Sequence, residues 1–258
     1  MRHLGLAALA VFILLPLAQA ILLSFTATLP TDQVAEGAIG LMNYRSVLAA
    51  PELRAAMVNS ALYVSLNVAL CIAVGLPAAY ALARHRFTGD RHFLLAILVF
   101  RVTPPVVLSL PIFILFSRFG LVNSPVGIAL VHCLFNLPVA IWVLESFIRA
   151  VPRAFDETAF LDGHSGLSFF FRHLIPQIAP GIGVAAFFCF IFSWVEVVFA
   201  RILTVTGGKP ITMAIQAMFS FQTDFGMVMA MTCLSLVPGL AMIWFARNHL
   251  ARGFTLRA

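Results

Sequence analysis

The chain has 258 residues, of which 62% are hydrophobic and only 10% are charged, and its mean hydropathy is +1.02. Because ordinary soluble domains carry about 25% charged residues, this composition excludes a water-soluble globular protein and indicates apolar surface in contact with lipid. The net charge of +6 does not indicate nucleic-acid binding, since the basic residues stand singly between apolar runs and form no patch.

Six apolar runs are each long enough to cross a hydrocarbon core of about 30 Å as an α-helix. We therefore predict an all-α fold, an integral membrane helical bundle with six transmembrane helices. Residues 1–258 are expected to form a single domain, because no internal repeat is evident. The predicted spans are residues 4–24, 58–83, 93–116, 125–148, 181–200 and 225–246. The four cysteines fall inside these stretches and lack the spacing of a zinc site or a disulfide framework, so we interpret them as small core residues.

The first span has two interpretations. Leu17–Ala20, after a basic start, resembles a signal-peptidase site, and cleavage there would leave five spans. The apolar stretch continues through Phe25, however, which is longer than a signal core of about 7–15 residues and favours a retained span. The segment that follows, Thr26–Met57, is polar at first and then predicts a helix through Tyr44 that is interrupted at Pro51.

The third span contains an arginine and a pair of prolines. Arg101 lies roughly 14 Å along this helix and so near the bilayer midplane, where an arginine costs about 2.5–3.5 kcal/mol to insert. Pro104 and Pro105 follow and are expected to break the helix, because they remove backbone donors. Two interpretations stay open for Arg101: a polar lining for a solute pathway, tolerated where helices are broken, or an ion pair with a buried carboxylate.

The fourth and fifth spans carry the other polar candidates. His132 and Asn136 are four residues apart and share one helical face. Together with Trp194 they could offer hydrogen bonds and a stacking face to a hydroxylated solute, or they could hydrogen-bond between helices. Glu196 is expected inside the fifth span, with Arg201 as a candidate partner. The candidate pathway residues are therefore Arg101, His132, Asn136, Trp194 and Glu196.

The loop of residues 149–180 is the longest connection on its side of the membrane. Pro152, acids in the first turn and Gly163 beyond the last turn predict a short helix with both ends marked. We expect its apolar side to hold Phe155, Ala159 and Leu161, and its polar side Asp156, Glu157 and Asp162. Such a helix could dock in a groove of another protein, or it could be an interfacial helix that holds two spans apart.

The distribution of lysine and arginine favours both termini in the cytoplasm. With that orientation, ten basic residues lie on the cytoplasmic side and five outside, and Arg101 lies within a span. The loop of residues 149–180 is then cytoplasmic.

Residues 157–163 read Glu-Thr-Ala-Phe-Leu-Asp-Gly, and residues 170–172 and 175–176 read Phe-Phe-Arg and Ile-Pro. This pattern resembles the EAA motif of binding-protein-dependent ABC importer permeases. In that family the motif forms a cytoplasmic coupling helix that docks on the ATPase subunit. The matching positions, which the resemblance implies are ATPase-docking residues, are Glu157, Ala159, Asp162 and Gly163. The sequence departs from the motif at Thr158, His164 and His173, which bears on which ATPase is bound.

The resemblance covers nearly the whole chain and points to the carbohydrate and polyol branch, in the second-permease position of maltose-type systems. Asn59-Ser60, the run of residues 79–84 with Phe87 and Gly89, and Trp194-Val195-Glu196 are similar to motifs of that branch. Residues 192–196 and 252–254 are similar to glycerol-type permeases.

The resemblance implies a set of partners in a bacterial inner membrane. These are a second permease subunit, two ATP-binding subunits that carry ATP and Mg, and an extracytoplasmic solute-binding protein. No cofactor is expected in this chain, which lacks a P-loop motif and protease motifs and is not expected to be an enzyme. The implied function is import of a sugar, polyol or glycerol by alternating access. The alternatives are a six-helix channel or a secondary carrier that acts without an ATPase.

Overall fold

The computed structural model describes residues 2–29, 37–85, 89–219 and 223–255. Over these residues the chain is mostly helical, with an isolated β-bridge between Thr26 and Ile39. The helices are, in chain order, α1 (Arg2–Ser24), α2 (Met42–Ala49), α3 (Pro51–Arg84), α4 (Asp90–Val102), α5 (Pro105–Arg118), α6 (Pro125–Ala150), α7 (Arg153–Leu161), α8 (Gly166–Phe169), α9 (Ile175–Gln177), α10 (Ala179–Trp194), α11 (Val198–Leu203), α12 (Ile211–Ala217) and α13 (Phe225–Thr255). A π-helical turn, Phe170–Leu174, joins α8 to α9.

Prolines mark the starts of several helices. Helices α3, α5 and α6 begin at Pro51, Pro105 and Pro125. Proline is favoured in a first helical turn because its φ angle is already helical and the N–H that it lacks would have no intrahelical partner there. The predicted interruption at Pro51 is confirmed. The predicted break in the third span is also confirmed, since α4 ends at Val102 and α5 starts three residues later.

Three described helices are long and apolar enough to cross a membrane by themselves: Pro51–Arg84, Pro125–Ala150 and Phe225–Arg247. A fourth candidate is the pair Gly166–Gln177 and Ala179–Trp194, which is bent by 77°. Shorter apolar helices cover Leu9–Ser24 and Pro105–Arg118. The helical membrane class is therefore confirmed. The predicted first span coincides with α1, and the predicted third span coincides with α4 and α5 together.

Helix α1 shows why these elements require a membrane. It exposes large apolar side chains along its length in the isolated chain, with Phe12, Leu15 and Leu22 each more than half exposed. A helix that is apolar around its circumference is covered by lipid or by other apolar helices. Water therefore does not cover this surface.

The described chain forms two compact units. One comprises Met1–Ser60 and Gly208–Leu240, and the other comprises Ala61–Gly207 and Ala241–Ala258. Helices α3 and α13 each contribute residues to both units. Two of its boundaries fall within α3 and α13, and the third, between Gly207 and Gly208, lies in the loop between α11 and α12.

The first unit is held together by hydrogen bonds between segments distant in sequence. The dipeptide Asn59-Ser60 binds the segment before α12: Asn59 Nδ2 donates to the Lys209 carbonyl at 3.2 Å, and Ser60 Oγ accepts from the Ile211 N–H at 2.8 Å. These two polar side chains near the start of the second predicted span therefore fix the segment at the start of α12.

The second unit has an apolar core, built where α3, α6 and α10 pack. Its buried members include Cys71, Leu144, Ile148, Phe169, Leu174, Ala185 and Cys189. Cys71 Sγ lies 3.5 Å from Cys133 Sγ, and all four cysteines are free thiols. The core role predicted for Cys71 and Cys189 is confirmed, while Cys133 and Cys233 are half-buried.

Candidate functional site

A pocket in the second unit gathers polar side chains from several helices. It encloses about 290 Å³ of space, counting the part open to solvent. Its lining residues are Arg101, Pro105, His132, Phe135, Asn136, Phe192, Glu196 and Phe199. Four of the five pathway residues predicted from the sequence therefore lie at one pocket. Their role in transport stays a prediction.

His132 on α6 is buried and bonded through both ring nitrogens. Its Nδ1 lies 2.5 Å from Ser193 Oγ, and its Nε2 lies 3.2 Å from Glu196 Oε2. These bonds tie α6 to the end of α10 and to the segment after it, as interhelical hydrogen bonds within a membrane bundle do. The sequence left Arg201 as a candidate partner for Glu196, and the structure shows a hydrogen bond between Glu196 and the His132 ring.

Glu196 lies in a break between two helices, and its place inside the fifth span stays a prediction. Helix α10 ends at Trp194, and Glu196 occupies the short break before α11. Its carboxylate accepts hydrogen bonds from the N–H groups of Phe199 at 2.9 Å and Ala200 at 3.1 Å. An acidic side chain that binds the first free N–H groups of a helix acts as its cap. Glu196 thus starts a new helix where hydropathy alone indicates one continuous span.

Asn136 connects three helices. Its Nδ2 donates to Asn67 Oδ1 on α3 at 3.0 Å and to the Cys189 carbonyl on α10 at 3.4 Å. Asn67 in turn donates to the Ala129 carbonyl at 3.2 Å. Sequence reasoning missed Asn67, although a buried amide inside an apolar span is itself a signal of interhelical bonding.

Arg101, in the last turn of α4, contacts an aromatic ring. Its guanidinium carbon lies 4.5 Å from the centroid of Phe192, an arrangement that attracts a cation to the ring face. Among the residues that the structure describes, no carboxylate forms an ion pair with Arg101. The contact of this guanidinium is therefore aromatic, and Arg101 lines the pocket.

The aromatic lining of the pocket was not identified from the sequence. Phe135 and Phe199 pack with ring centroids 5.1 Å apart, and Phe192 lies under Arg101. The chain has 25 phenylalanines, and hydropathy does not distinguish a ring that faces lipid from one that lines a pocket. Trp194, which was singled out, stacks on Phe190 at 5.5 Å and is not among the lining residues.

The short helix in the loop of residues 149–180 has the bounds that its end signals predict. Helix α7 runs from Arg153 to Leu161. At its end, the Gly163 N–H binds the Phe160 carbonyl and the His164 N–H binds the Ala159 carbonyl, each at 3.1 Å. This pair of bonds is a Schellman motif, which requires a left-handed residue, and Gly163 supplies it with φ of +84°.

Three of the four motif residues, which lie on this helix or directly after it, are exposed. Glu157, Asp162 and Gly163 are exposed, whereas Ala159 is buried. The small side chain of Ala159 lets α7 lie close to the core of the second unit, and the other three residues remain available to a partner.

Two side chains of α7 lie on the opposite side from the predicted one. Asp156, expected on the polar face, is buried, and Leu161, expected on the apolar face, is 88% exposed. The reason is an ion pair that hydropathy does not reveal, because Arg84 at the end of α3 binds Asp156 at 2.6 Å. That bond turns Asp156 inward and leaves Leu161 outside.

The two histidines that depart from the family pattern lie against each other. The ring centroids of His164 and His173 are 4.4 Å apart, and His173 stacks on Phe169 at 6.3 Å. Both residues that differ from the family motif therefore take part in one local aromatic contact near α7. Neither histidine is as exposed as Glu157.

Comparison with known proteins agrees with this architecture. Residues 72–253 match the family described as "Binding-protein-dependent transport system inner membrane component". The trehalose transport system permease protein SugB of Mycobacterium tuberculosis is 27% identical over 234 residues, 89% of this chain and 85% of that protein. The trehalose/maltose transport system permease protein MalG of Thermococcus litoralis is 26% identical over 261 residues, covering 98% of this chain and 94% of that protein.

A solved structure shows the same fold. A chain from the crystal structure of a bacterial ABC transporter involved in the import of the acidic polysaccharide alginate superposes with a TM-score of 0.78 at 18% identity, over 96% of this chain and 94% of that one. The family match decides against the channel and the secondary carrier, and it assigns the chain to the permease and not to the ATPase. This chain belongs to the binding-protein-dependent inner membrane components and is a multi-pass permease subunit of an ABC importer.

Proposed function

We propose that this chain is one of two permease subunits in a complex with two ATP-binding subunits and an extracytoplasmic solute-binding protein. ATP and Mg are held by the ATP-binding subunits. The complex moves a small hydroxylated solute, a sugar, polyol or glycerol, into the bacterial cytoplasm by alternating access. The observation that carries this proposal is the outward face of α7, a capped helix that presents Glu157 and Asp162 to a partner.

The proposed topology has six spans and both termini in the cytoplasm. The three long helices and the bent pair account for four of these spans. In the proposed topology, helix α1 is a fifth span, and α4 together with α5 is the sixth. Ten basic residues on the cytoplasmic side against five outside support this orientation. With it, α7 lies in the cytoplasm, where an ATPase can reach it.

The proposed docking surface is the exposed face of α7 together with the apolar side chains beside it. Large apolar residues are exposed here: Phe160, Leu161, Leu167 and Phe171. A group of exposed apolar side chains with charged neighbours is typical of a protein interaction site. This supports ATPase docking by the coupling helix, in which Glu157, Ala159, Asp162 and Gly163 match the family motif.

The proposed solute class follows from the pocket. Phenyl faces offer stacking surfaces to a ring, and Arg101 carries hydrogen-bond donors suited to hydroxyl groups. The relatives named for trehalose and for trehalose/maltose transport support a sugar among the hydroxylated solutes. We propose that Arg101, His132, Asn136 and Glu196 form part of the pathway wall, with Trp194 behind it.

The proposal is tested by purifying a tagged copy from native membranes in mild detergent and identifying its partners by mass spectrometry. We expect a second permease of similar size, a P-loop ATPase and a solute-binding protein. Glu157→Lys should lose the ATPase, and Thr158→Ala, which restores a small residue of the family motif, should keep it. Recovery of a homo-oligomer alone would contradict the proposed complex.

The pathway is tested with the reconstituted complex and radiolabelled trehalose, maltose and glycerol. Arg101→Ala should lower uptake at an unchanged level of membrane-inserted protein, because it removes the cation from the pocket. The matched control is Arg118→Ala, which removes an exposed arginine at the end of α5. A loss of protein with Arg101→Ala and no loss of uptake per molecule would show a purely structural role.

A further inference from the structure

We propose that the ion pair of Arg84 and Asp156 is the joint through which a displacement of α7 reaches α3, which makes Arg84 a positioning residue for transport. The inference rests on the proposed docking role of α7 and adds the intramolecular step that follows docking. It concerns two residues outside the EAA match, one at the end of a predicted span and one on the inner side of α7.

The joint is bidentate and shielded from solvent. Arg84 Nε donates to Asp156 Oδ2 at 2.6 Å, and Arg84 Nη2 donates to Asp156 Oδ1 at 2.9 Å. The two side chains are 7% and 10% exposed. Two parallel N–H···O bonds from a planar guanidinium fix the relative orientation of the groups as well as their distance. The end of α3 and the first turn of α7 are thereby held in one geometry.

A second bond joins the same two helix ends. Arg153, the first residue of α7, donates from its Nη2 to the Arg84 carbonyl at 3.2 Å. Arg84 is the last residue of α3, so its side chain and its backbone are both bonded to α7. Two independent bonds at one point resist both separation and rotation of the helices.

Packing beneath the joint joins the same helices. The buried ring of Phe169 lies 5.3 Å from Phe160 and 6.1 Å from Phe155, both on α7. On its other side Phe169 lies 6.3 Å from Tyr80 on α3. The polar joint therefore lies over a layer of aromatic contacts, and α7 cannot move without displacing either the joint or this layer.

The neighbouring acid on α7 faces a different direction. Successive residues of an α-helix are about 100° apart around its axis, and Asp156 is buried while Glu157 is exposed. One acid thus binds the end of a span, and the next is available to the ATPase. This division places α7 between the partner and α3.

A buried ion pair contributes more to geometry than to net stability. Desolvation of two charges offsets most of their attraction, whereas loss of one partner leaves an uncompensated buried charge. The pair is therefore expected to add little to the free energy of unfolding. It does fix the angle between α3 and α7, because its two hydrogen bonds are directional. That property is the one that a joint between a docking helix and a membrane helix requires.

The test uses the complete complex, with its ATPases and solute-binding protein, in proteoliposomes. The variants are Arg84→Asp, Asp156→Arg, the double charge swap and Arg84→Lys. Two quantities are measured: the ATPase that co-purifies with each variant, and the solute moved per ATP hydrolysed. The control is Arg149→Gln, which breaks an ion pair with Glu145 inside α6 and joins no second helix.

Each single reversal should keep the bound ATPase and lower the solute moved per ATP by at least about fivefold, within the range of coupling energies between sites. The double swap should recover most of this loss, and Arg84→Lys should be intermediate because lysine is not bidentate. Arg149→Gln leaves the buried Glu145 without its cation, so it should lower at most the amount of complex. Its solute moved per ATP should match the wild type. Single reversals with unchanged transport per ATP would overturn the inference. So would losses that only follow a reduced amount of complex, or that persist fully in the double swap. A wild-type chain that binds no ATPase would refute the proposed docking, and the inference with it.

Discussion

Gly163 has φ of +84°, a conformation in which the Cβ of an L-residue meets the following carbonyl at a cost of roughly 1–2 kcal/mol. Apart from its own residue and its two chain neighbours, a Cβ built on this glycine meets no atom within 4 Å. The backbone angle alone therefore requires glycine here, and the end of α7 depends on it through the Schellman bonds.

We predict that Gly163→Val lowers solute uptake severalfold with little loss of inserted protein, because it deforms the end of the docking helix. Gly163→Asn should be milder, since asparagine tolerates the left-handed region. The control is Gly166→Ala, a nearby glycine without a positive φ and with open space around it. Uptake and inserted protein are measured together, and equal uptake by the valine and asparagine variants would contradict the backbone argument.

Glu196 is predicted to stabilise the protein as a helix cap. Glu196→Ala removes the acceptor of the Phe199 and Ala200 N–H groups and should cost on the order of 1 kcal/mol, as other cap losses do. Glu196→Gln keeps an acceptor oxygen and should cost less. Thermal melting in detergent measures both, and an alanine variant as stable as the glutamine variant would exclude the capping role.

At the scale of helices, the contact of α6 with α10 depends on a small residue. A Cβ built on Gly181 would lie 2.4 Å from Cγ of Phe147, closer than two non-bonded carbon atoms can approach. Small residues of this kind let membrane helices pack closely. This contact supports the wall of the pocket, because His132 and Asn136 lie on α6 and each is hydrogen-bonded to α10, through Ser193 and the Cys189 carbonyl.

Gly181→Ala is therefore expected to destabilise the folded chain by roughly 1–3 kcal/mol, the usual cost of overpacking a filled core. Gly239→Ala is the matched substitution, since nothing lies within 4 Å of a Cβ at that position. Detergent melting temperatures and the yield of monodisperse protein report the difference. Equal melting of the two variants would show that α6 and α10 adjust to the added methyl group without cost.

At the scale of the whole molecule, the orientation of the spans is set by charge, and the division into two units is set by packing. The basic residues that determine orientation are read from the sequence. The two units each combine segments from distant parts of the chain, so they form only when the helices pack.

The proposed orientation predicts the activity of reporter fusions. Green fluorescent protein fused after the last residue should fluoresce, because it folds in the cytoplasm. Alkaline phosphatase fused after Phe119, between α5 and α6, should be active outside, and the same fusion after Gly163 should be inactive. Activity after Gly163 would place α7 outside the cytoplasm and contradict its docking to an ATPase.

Several features were predictable because they depend on neighbours along the chain. Pro51 and the Pro104-Pro105 pair were expected to interrupt helices, and they do so, because proline removes a donor wherever it stands. The bounds of α7 followed from Pro152 and Gly163 for the same local reason. The family was recognisable from residues 157–163, since a docking motif is a contiguous surface of one short helix.

The sequence by itself determined the membrane class, the helix interruptions and the family motif of residues 157–163, because composition and local backbone chemistry govern these. The orientation of the spans stays a prediction from the distribution of basic residues. Only the tertiary structure decided that Asp156 faces inward to Arg84, that Glu196 caps α11 beside His132, and that Asn67 and Phe192 complete the surroundings of the pocket. Apart from the local cap on α11, these contacts join residues about 60 to 90 positions apart. Hydropathy records how apolar each position is, and it does not record which distant side chain will neutralise a buried charge.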